Sequence, residues 1–310
     1  MNASTFRRAA RFAIAPACAW LVAVTAAATP QAPDREAGDR RASAPPADVR
    51  VQRDVAYGPA PQQRFDVYAP KVAQGAPVIF MVHGGAWRIG DKGNAGVVDN
   101  KVARWVAAGF VFISTNYRMI PQADPLEQAR DVARALAAAQ RMAAQWGADP
   151  QRFVLMGHSA GAHLVARVNG APAFAAEFGA RPALGAVLLD TAALDVVSLM
   201  SAPHARLYDR AFGADPDFWR EASPYHMLAR GTPPVLAVCS TVRRDDSCRQ
   251  ARAYVARAQS LGVRASVLPE PLSHADINRQ LGLPGAYTES VERFFGSLDP
   301  ALAALSNRGP

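Results

Sequence analysis

The feature that most constrains the fold of this chain is the run Gly-His-Ser-Ala-Gly at positions 157–161. The apolar run 153–156 precedes it, and the helix-forming run 162–168 follows it. This order predicts a strand, a sharp turn that carries Ser159, and a helix, which is the context in which a G-x-S-x-G motif is catalytic. Glycines at both ends leave room that side chains would otherwise fill. We therefore predict that Ser159 is a nucleophile.

A second motif, His-Gly-Gly-Ala-Trp at positions 83–87, follows the continuously apolar run 77–82. Adjacent glycines at the end of a buried strand allow backbone N–H groups to face a site with no side chain in the way. Each such donor, when aimed at a developing oxyanion, is worth about 3–4 kcal/mol in the transition state. We expect Gly84 and Gly85, together with the N–H of Ala160, to form an oxyanion hole.

The predicted general base is His274, one of six histidines in the chain. Two of the other five belong to the two motifs, one lies a helical turn beyond Ser159, and two lie in a region that we predict to be a cap. His274 follows the apolar run 265–268 in a predicted loop, from which an imidazole can reach the nucleophile.

The acid that orients this imidazole is expected in the loop after the predicted strand 234–239. That loop contains two adjacent candidates, Asp245 and Asp246. We favour Asp246 over Asp245, although an aspartate at the start of a helix often only caps that helix. Asp190 and Asp195, which follow the preceding predicted strand, are less favoured substitutes.

Strands that alternate with helices indicate a mostly parallel sheet built from right-handed crossover units. Two segments of alternating polarity, 49–57 and 64–68, predict an antiparallel hairpin in front of that sheet. Residues 191–230 interrupt the alternation and are predicted to form a small cap over the site. The remaining buried strands are predicted at 77–82, 110–115, 153–156, 184–189, 234–239 and 265–268, and the helices at 124–146, 246–261 and 284–297.

The two ends of the chain differ in character from the domain predicted at residues 49–298. Residues 1–28 hold three arginines, no acidic residue and an apolar stretch that ends in small residues, as an export signal does. The apolar stretch is too short for a spanning helix. We therefore expect an exported protein, periplasmic or secreted, with no stable membrane insertion after cleavage. Residues 29–48 are predicted to be a disordered linker and residues 299–310 a C-terminal tail.

Signal cleavage would leave two cysteines, Cys239 and Cys248, and an even number in an exported chain predicts a disulfide. The formal charge of +8 belongs partly to the leader, and the densest basic pair, Arg243 and Arg244, is predicted to be solvated. The sequence has no basic stripe interleaved with aromatic residues, so nucleic-acid binding is not expected. It also shows no metal-ligand spacing and no phosphate-binding glycine loop, so we expect neither a metal nor a cofactor.

Taken in order, these motifs resemble the α/β-hydrolase superfamily, within which they are similar to carboxylesterases related to hormone-sensitive lipase and to arylformamidases. The chain has Ala86 where the hormone-sensitive-lipase pattern has a third glycine. The resemblance implies an α/β-hydrolase fold with helices on both faces of the sheet, and we expect Trp87 to contact substrate. It also implies a triad of Ser159, Asp246 and His274 and the oxyanion donors Gly84, Gly85 and Ala160.

The implied activity is hydrolysis of a small-molecule carboxylic ester, with a short acyl or an aryl group, through an acyl-serine intermediate. The alternative enzyme is an arylformamidase-type amide hydrolase, against which export argues because that metabolism is usually intracellular. The alternative from another class is a non-catalytic binding protein with the hydrolase fold. Such proteins usually lack a triad residue or a motif glycine, whereas this chain keeps Ser159, His274 and both glycines.

Overall fold

The structure, a computed structural model, describes residues 40–306. The predicted export signal, the first part of the predicted linker and the last residues of the tail lie outside the described residues. The strands are β1 Val49–Ala56, β2 Arg64–Pro70, β3 Ala76–Val82, β4 Val111–Thr115, β5 Ala148–His158, β6 Gly185–Leu189, β7 Val235–Ser240 and β8 Ala265–Glu270. The α-helices before the cap are α1 Ala95–Lys101, α2 Pro125–Met142, α3 Ala160–Gly170 and α4 Pro172–Ala176. The cap contains α5 Val196–Met200, α6 Arg206–Phe212, α7 Pro216–Ala222 and α8 Pro224–Met227. The α-helices after the cap are α9 Ser247–Ser260, α10 His274–Arg279, α11 Ala286–Leu298 and α12 Pro300–Ser306.

The strands form one eight-stranded sheet in the order β1-β2-β4-β3-β5-β6-β7-β8. β1 pairs antiparallel with β2 and β2 pairs antiparallel with β4, while every other pairing is parallel. The predicted N-terminal hairpin and the mostly parallel sheet are therefore confirmed. In a sheet of this kind, the loops after the carboxyl ends of neighbouring parallel strands meet at one edge and build a site there.

Alternate residues of the buried strands enter two hydrophobic cores, one on each face of the sheet. In β3, Val78 and Phe80 pack on the face covered by α2, α3 and α9, whereas Ile79 and Met81 pack on the face covered by α1 and α11. This alternation follows from the two-residue period of a strand. Helices cover both faces, as the resemblance implies.

The long helix α2 begins and ends close to the predicted residues. The Asp124 side chain accepts hydrogen bonds from the backbone N–H groups of Leu126 and Glu127, both at 2.9 Å. The last predicted turn, Ala143–Trp146, is a 3-10 helix, and Gly147 stops it with a φ of 74°. A left-handed glycine at this position satisfies the free carbonyl groups of a helix end.

Parts of the predicted linker and tail differ from expectation. The backbone N–H of Ala42 donates to the carbonyl of Gly93 at 2.7 Å, and the Ser43 hydroxyl donates to Asp99 at 2.8 Å. At the other end, α12 buries Leu302 completely. These contacts are with residues distant in the sequence, so the local composition from which the linker and tail were predicted carried no sign of them.

The cap lies over the helix that follows the serine turn. His163, on α3, places its Nε2 2.8 Å from the carbonyl oxygen of Ala222, and Arg167 Nε donates to the carbonyl of Glu221 at 3.1 Å. The region 191–230 is thus a small helical insertion, as predicted. In the described part of the chain, no helix has both the length and the apolar character that membrane crossing requires.

Candidate active site

Ser159 stands at a sharp turn between β5 and α3, with a φ of 56° and a ψ of −120°. A non-glycine residue with a positive φ is uncommon and is typical of a nucleophile turn. A Cβ on Gly157 would lie 2.3 Å from the carbonyl oxygen of Gly161, and a Cβ on Gly161 would lie 2.2 Å from that of Val82. Only glycine fits at either position, so the backbone of this turn depends on both motif glycines.

His274 faces the serine hydroxyl. Its Nε2 lies 2.9 Å from Ser159 Oγ, the contact that the sequence predicts. His274 is not in a loop, however; it is the first residue of α10. Ser273 caps the N-terminus of this helix, because its side chain accepts a hydrogen bond from the backbone N–H of Asp276. The short helix fixes the direction in which the imidazole leaves the backbone.

The acid beside His274 is Asp190, so the expectation of Asp246 is wrong. Asp190 Oδ2 lies 2.6 Å from His274 Nδ1, and its side chain is completely buried. Asp190 directly follows β6, which is the neighbour of β5 in the sheet. The carboxylate therefore projects from the end of β6, beside the serine turn, rather than from the loop after β7.

The two favoured candidates have other roles. Asp246 directly precedes α9 and has a φ of 45°. Its carboxylate accepts from the backbone N–H of Arg249 at 3.2 Å, so Asp246 caps the helix, which is the alternative role considered for it in the sequence. Asp245 is 42% exposed and forms a bidentate ion pair with Arg243. Neither carboxylate contacts His274 in the structure.

The Asp190 carboxylate accepts hydrogen bonds on both oxygens. Ser240 N–H and Ser247 Oγ donate to Oδ1 at 2.8 and 2.6 Å, and Arg243 Nη1 donates to Oδ2 at 2.8 Å beside His274. Burial alone would raise the pKa of Asp190, but the hydrogen bond from His274 and the charge of Arg243 lower it below its ordinary value. Asp190 is therefore ionised at neutral pH.

The ring of His158 stacks obliquely on that of His274, with centroids 4.5 Å apart. Burial, with the adjacent charge of His274 second, holds the pKa of His158 well below its ordinary value, so its imidazole stays neutral. His158 Nε2 lies 2.9 Å from the carbonyl oxygen of His274. A carbonyl only accepts, so Nε2 carries the proton and helps to hold the His274 backbone.

The predicted oxyanion donors surround the same serine. A Cβ on Gly84 would lie 2.9 Å from both the carbonyl oxygen of His158 and Ser159 Cβ, so the loop can approach Ser159 this closely only with glycine at position 84. Gly85 has a φ of 115°. Ala160 is the first residue of α3, where an N–H has no partner within the helix and lies at the positive end of the helix dipole.

Trp87 is buried, with 2% of its surface exposed. Its Nε1 donates to His163 Nδ1 at 3.1 Å, and its ring packs edge-on against Tyr208 and Phe212 of α6. Burial lowers the pKa of His163 to about 4, so this imidazole is a neutral acceptor. Trp87 thus joins the serine helix to the cap, and its contact with substrate stays a prediction.

Cys239 and Cys248 form the expected disulfide, with an S–S distance of 2.01 Å. The bridge closes the loop that carries Arg243. That arginine is not solvated as expected: its side chain is 17% exposed and contacts both Asp190 and His274. A charged residue in a loop gives no sequence signal for such a contact, because the contact depends on how neighbouring strands align. Among the described residues, no cluster of three or more His, Cys, Asp and Glu side chains could hold a metal ion.

We expect the double variant Cys239→Ala/Cys248→Ala to lose about 2–3 kcal/mol of unfolding free energy, because the closed loop restricts the unfolded chain. Urea denaturation of wild type and variant measures the difference. Reductant should move the wild-type midpoint toward that of the variant and leave the variant unchanged. Equal midpoints for the two proteins without reductant would contradict the expectation.

Residues 65–253, more than half of the chain, match the family model BD-FAE. Esterase LipC of Mycobacterium tuberculosis is 29% identical over 225 residues, which cover 68% of this chain and 55% of that protein. The probable isoprenylcysteine alpha-carbonyl methylesterase ICMEL1 of Oryza sativa subsp. japonica is 36% identical over 118 residues, 38% of this chain and 27% of that protein. The matches thus span from about a quarter to just over half of these two relatives.

Solved structures share the fold. A truncated carbohydrate esterase from gut microbiota superimposes with a TM-score of 0.70 at 18% identity, covering 86% of this chain and all of that one. A phosphonate-inhibited esterase B of Lactobacillus rhamnosis superimposes with a TM-score of 0.63 at 21% identity, covering 86% of this chain and 88% of that one. At these identities the likeness concerns the fold alone.

Proposed function

The chain belongs to the BD-FAE family, and from this membership and the geometry around Ser159 we propose that it is a serine hydrolase of carboxylic esters. The observation that carries the proposal is the unbroken contact from Ser159 Oγ to His274 Nε2, at 2.9 Å, and from His274 Nδ1 to Asp190 Oδ2, at 2.6 Å. A buried carboxylate, an imidazole and a serine in this order form the triad of acyl-transfer enzymes.

In the proposed reaction, Ser159 Oγ attacks the ester carbonyl carbon while its proton passes to His274 Nε2. Asp190 holds the Nδ1–H tautomer and stabilises the imidazolium. The tetrahedral intermediate collapses to an acyl-serine, and the departing alkoxide takes the proton from His274. Water then attacks the acyl-serine, with His274 again accepting a proton, and the carboxylic acid leaves as Ser159 regains its hydrogen.

Backbone N–H groups of Gly84, Gly85 and Ala160 are the proposed donors to the oxyanion. The close approach of Gly84 to Ser159 and the position of Ala160 at the start of α3 support this assignment. Donors fixed by the backbone need no rearrangement when charge develops, which makes such sites effective.

Two observations favour an ester over an amide substrate and over a binding role. The relatives above carry the names of esterases and of a probable methylesterase. The arrangement of Ser159, His274 and Asp190 supports catalysis, whereas non-catalytic proteins with this fold usually lack a triad member. A small-molecule ester with a short acyl or an aryl group is the proposed substrate.

The choice between ester and amide is tested with paired substrates. We expect kcat/KM for p-nitrophenyl acetate and butyrate to exceed that for N-formylkynurenine, because p-nitrophenolate leaves without a proton, whereas an amide nitrogen leaves only as His274 protonates it. A higher kcat/KM for the formamide would identify an arylformamidase instead. No turnover of either class would favour the binding protein.

The proposal extends to location: the protein acts outside the cytoplasm, in the periplasm or as a secreted enzyme. The arginines and the apolar stretch of residues 1–28 support export. The disulfide between Cys239 and Cys248 is consistent with it, because disulfides persist mainly in oxidising compartments.

A further inference from the structure

The loop closed by the disulfide supplies most of the hydrogen bonds that hold the triad acid. Ser240 and Ser247 both donate to Asp190 Oδ1, and Arg243 donates to Oδ2. All three donors lie between Cys239 and Cys248, so one ten-residue segment bounded by the bridge surrounds a carboxylate that belongs to another strand. With His274 as the fourth donor, the accepting positions of the carboxylate are filled.

Arg243 lies closer to the chemistry than the two serines do. Its Nη1 is 2.8 Å from Asp190 Oδ2 and 2.8 Å from His274 Nδ1. A guanidinium only donates, and His274 Nδ1 must carry a proton to bond with Asp190. The two N–H groups therefore share one carboxylate oxygen and face each other, so the positive charge of Arg243 opposes protonation of His274.

Asp245 counters this charge from the opposite side of the guanidinium. It accepts from Arg243 Nε at 2.8 Å and from Nη2 in a bidentate ion pair. The two aspartates hold the pKa of Arg243 above its ordinary value despite burial. Charges thus alternate along the row from Asp245 through Arg243 and Asp190 to His274.

We propose that Arg243, presented by the disulfide-closed loop, is a positioning residue that orients Asp190 and sets how readily His274 accepts a proton. The proposal takes its triad from the proposed function and adds the part played by the loop. In this proposal Arg243 acts through its hydrogen bond to Asp190 and through its own positive charge, without contacting the substrate.

The other groups around His274 do not provide this control. His158, from the end of β5, is neutral, and Asp276, on the same helix as His274, is bonded to Ser273 and Arg279. Asp190, from the end of β6, is the intended partner of the imidazolium. Arg243 is therefore the cation that faces His274 Nδ1 among these neighbours.

The test compares Arg243→Gln, Asp245→Asn and the control Arg244→Gln, which removes the same charge from an exposed neighbour in the same loop. Removing the Arg243 charge favours the imidazolium, so the acid limb of the kcat/KM profile should move up by about 0.5–1 pH unit. Removing the charge of Asp245 leaves Arg243 without its counter-charge, so the acid limb should move down by about 0.3 pH unit. This shift is smaller than that of Arg243→Gln because Asp245 is farther from His274 and more exposed. Arg244→Gln should move it by less than about 0.2 pH unit.

Opposite shifts distinguish a charge effect from a structural one, because general damage to the loop would lower the rate of both variants without moving their profiles in opposite directions. The NMR titration midpoint of the His274 ring gives the same information without turnover. The role of Arg243 can therefore be wrong even if the protein hydrolyses esters, and it can be right even if the substrate is not an ester. Unmoved midpoints in both variants, or shifts of the same sign, would overturn it.

Discussion

Ser159→Ala is expected to lower kcat/KM for p-nitrophenyl butyrate by about 10⁴- to 10⁶-fold, since the variant has no oxygen to form the acyl-enzyme. The loss should lie in kcat, because alanine leaves the backbone donors around the site in place. A fluorophosphonate probe measures the same event directly and should label the wild-type protein but not the variant.

Folding does not confound this comparison. The Ser159 side chain does not cap α3, and alanine differs from serine by one oxygen atom. The free energies of unfolding of the two proteins, measured by urea denaturation, should therefore agree within about 1 kcal/mol. Hydrolysis of the ester by Ser159→Ala at a rate near that of wild type would remove Ser159 from the mechanism.

Asp190→Asn is expected to lower kcat by about 10³- to 10⁴-fold, the loss typical of a triad acid that becomes an amide. The neutral amide neither stabilises the imidazolium nor holds the productive tautomer. The amide also has one acceptor oxygen where the carboxylate has two, and four donors surround it, so its NH₂ group lies against N–H or O–H groups. We therefore expect the free energy of unfolding to fall by about 1–3 kcal/mol. Circular dichroism at the assay temperature checks that the variant is folded.

Asp246→Asn is the matched control. It makes the same chemical change in the same part of the molecule, but asparagine caps a helix about as well as aspartate does. Its kcat should stay within about twofold of wild type. If Asp246→Asn lost the activity and Asp190→Asn kept it, the triad would contain the residue that the sequence favoured and not the one that contacts His274.

The sequence alone indicated the serine turn, the glycine loop and the candidate base. The serine turn and the glycine loop are local patterns whose residues decide their own backbone: glycine is the only residue that fits where a Cβ would meet a carbonyl oxygen 2.2 Å away, as at Gly161. The candidate base was selected by its position after the last predicted strand, which follows from the order of the motifs along the chain. Runs of apolar residues likewise encode buried strands, because both faces of a parallel sheet are covered. Ser159, Gly84 and His274 could therefore be selected with no knowledge of their neighbours in space.

The tertiary structure decided which aspartate meets His274 and what surrounds it. Asp190 and Asp246 follow adjacent parallel strands, so the sequence places both near one edge of the sheet. Their selection depends on strand register and local backbone: Asp190 N–H donates to the carbonyl of Val238, which points its carboxylate at His274, whereas Asp246 caps α9. The position of Arg243 depends on the same register, because its contacts to Asp190 join two loops that are adjacent only once β6 and β7 have paired.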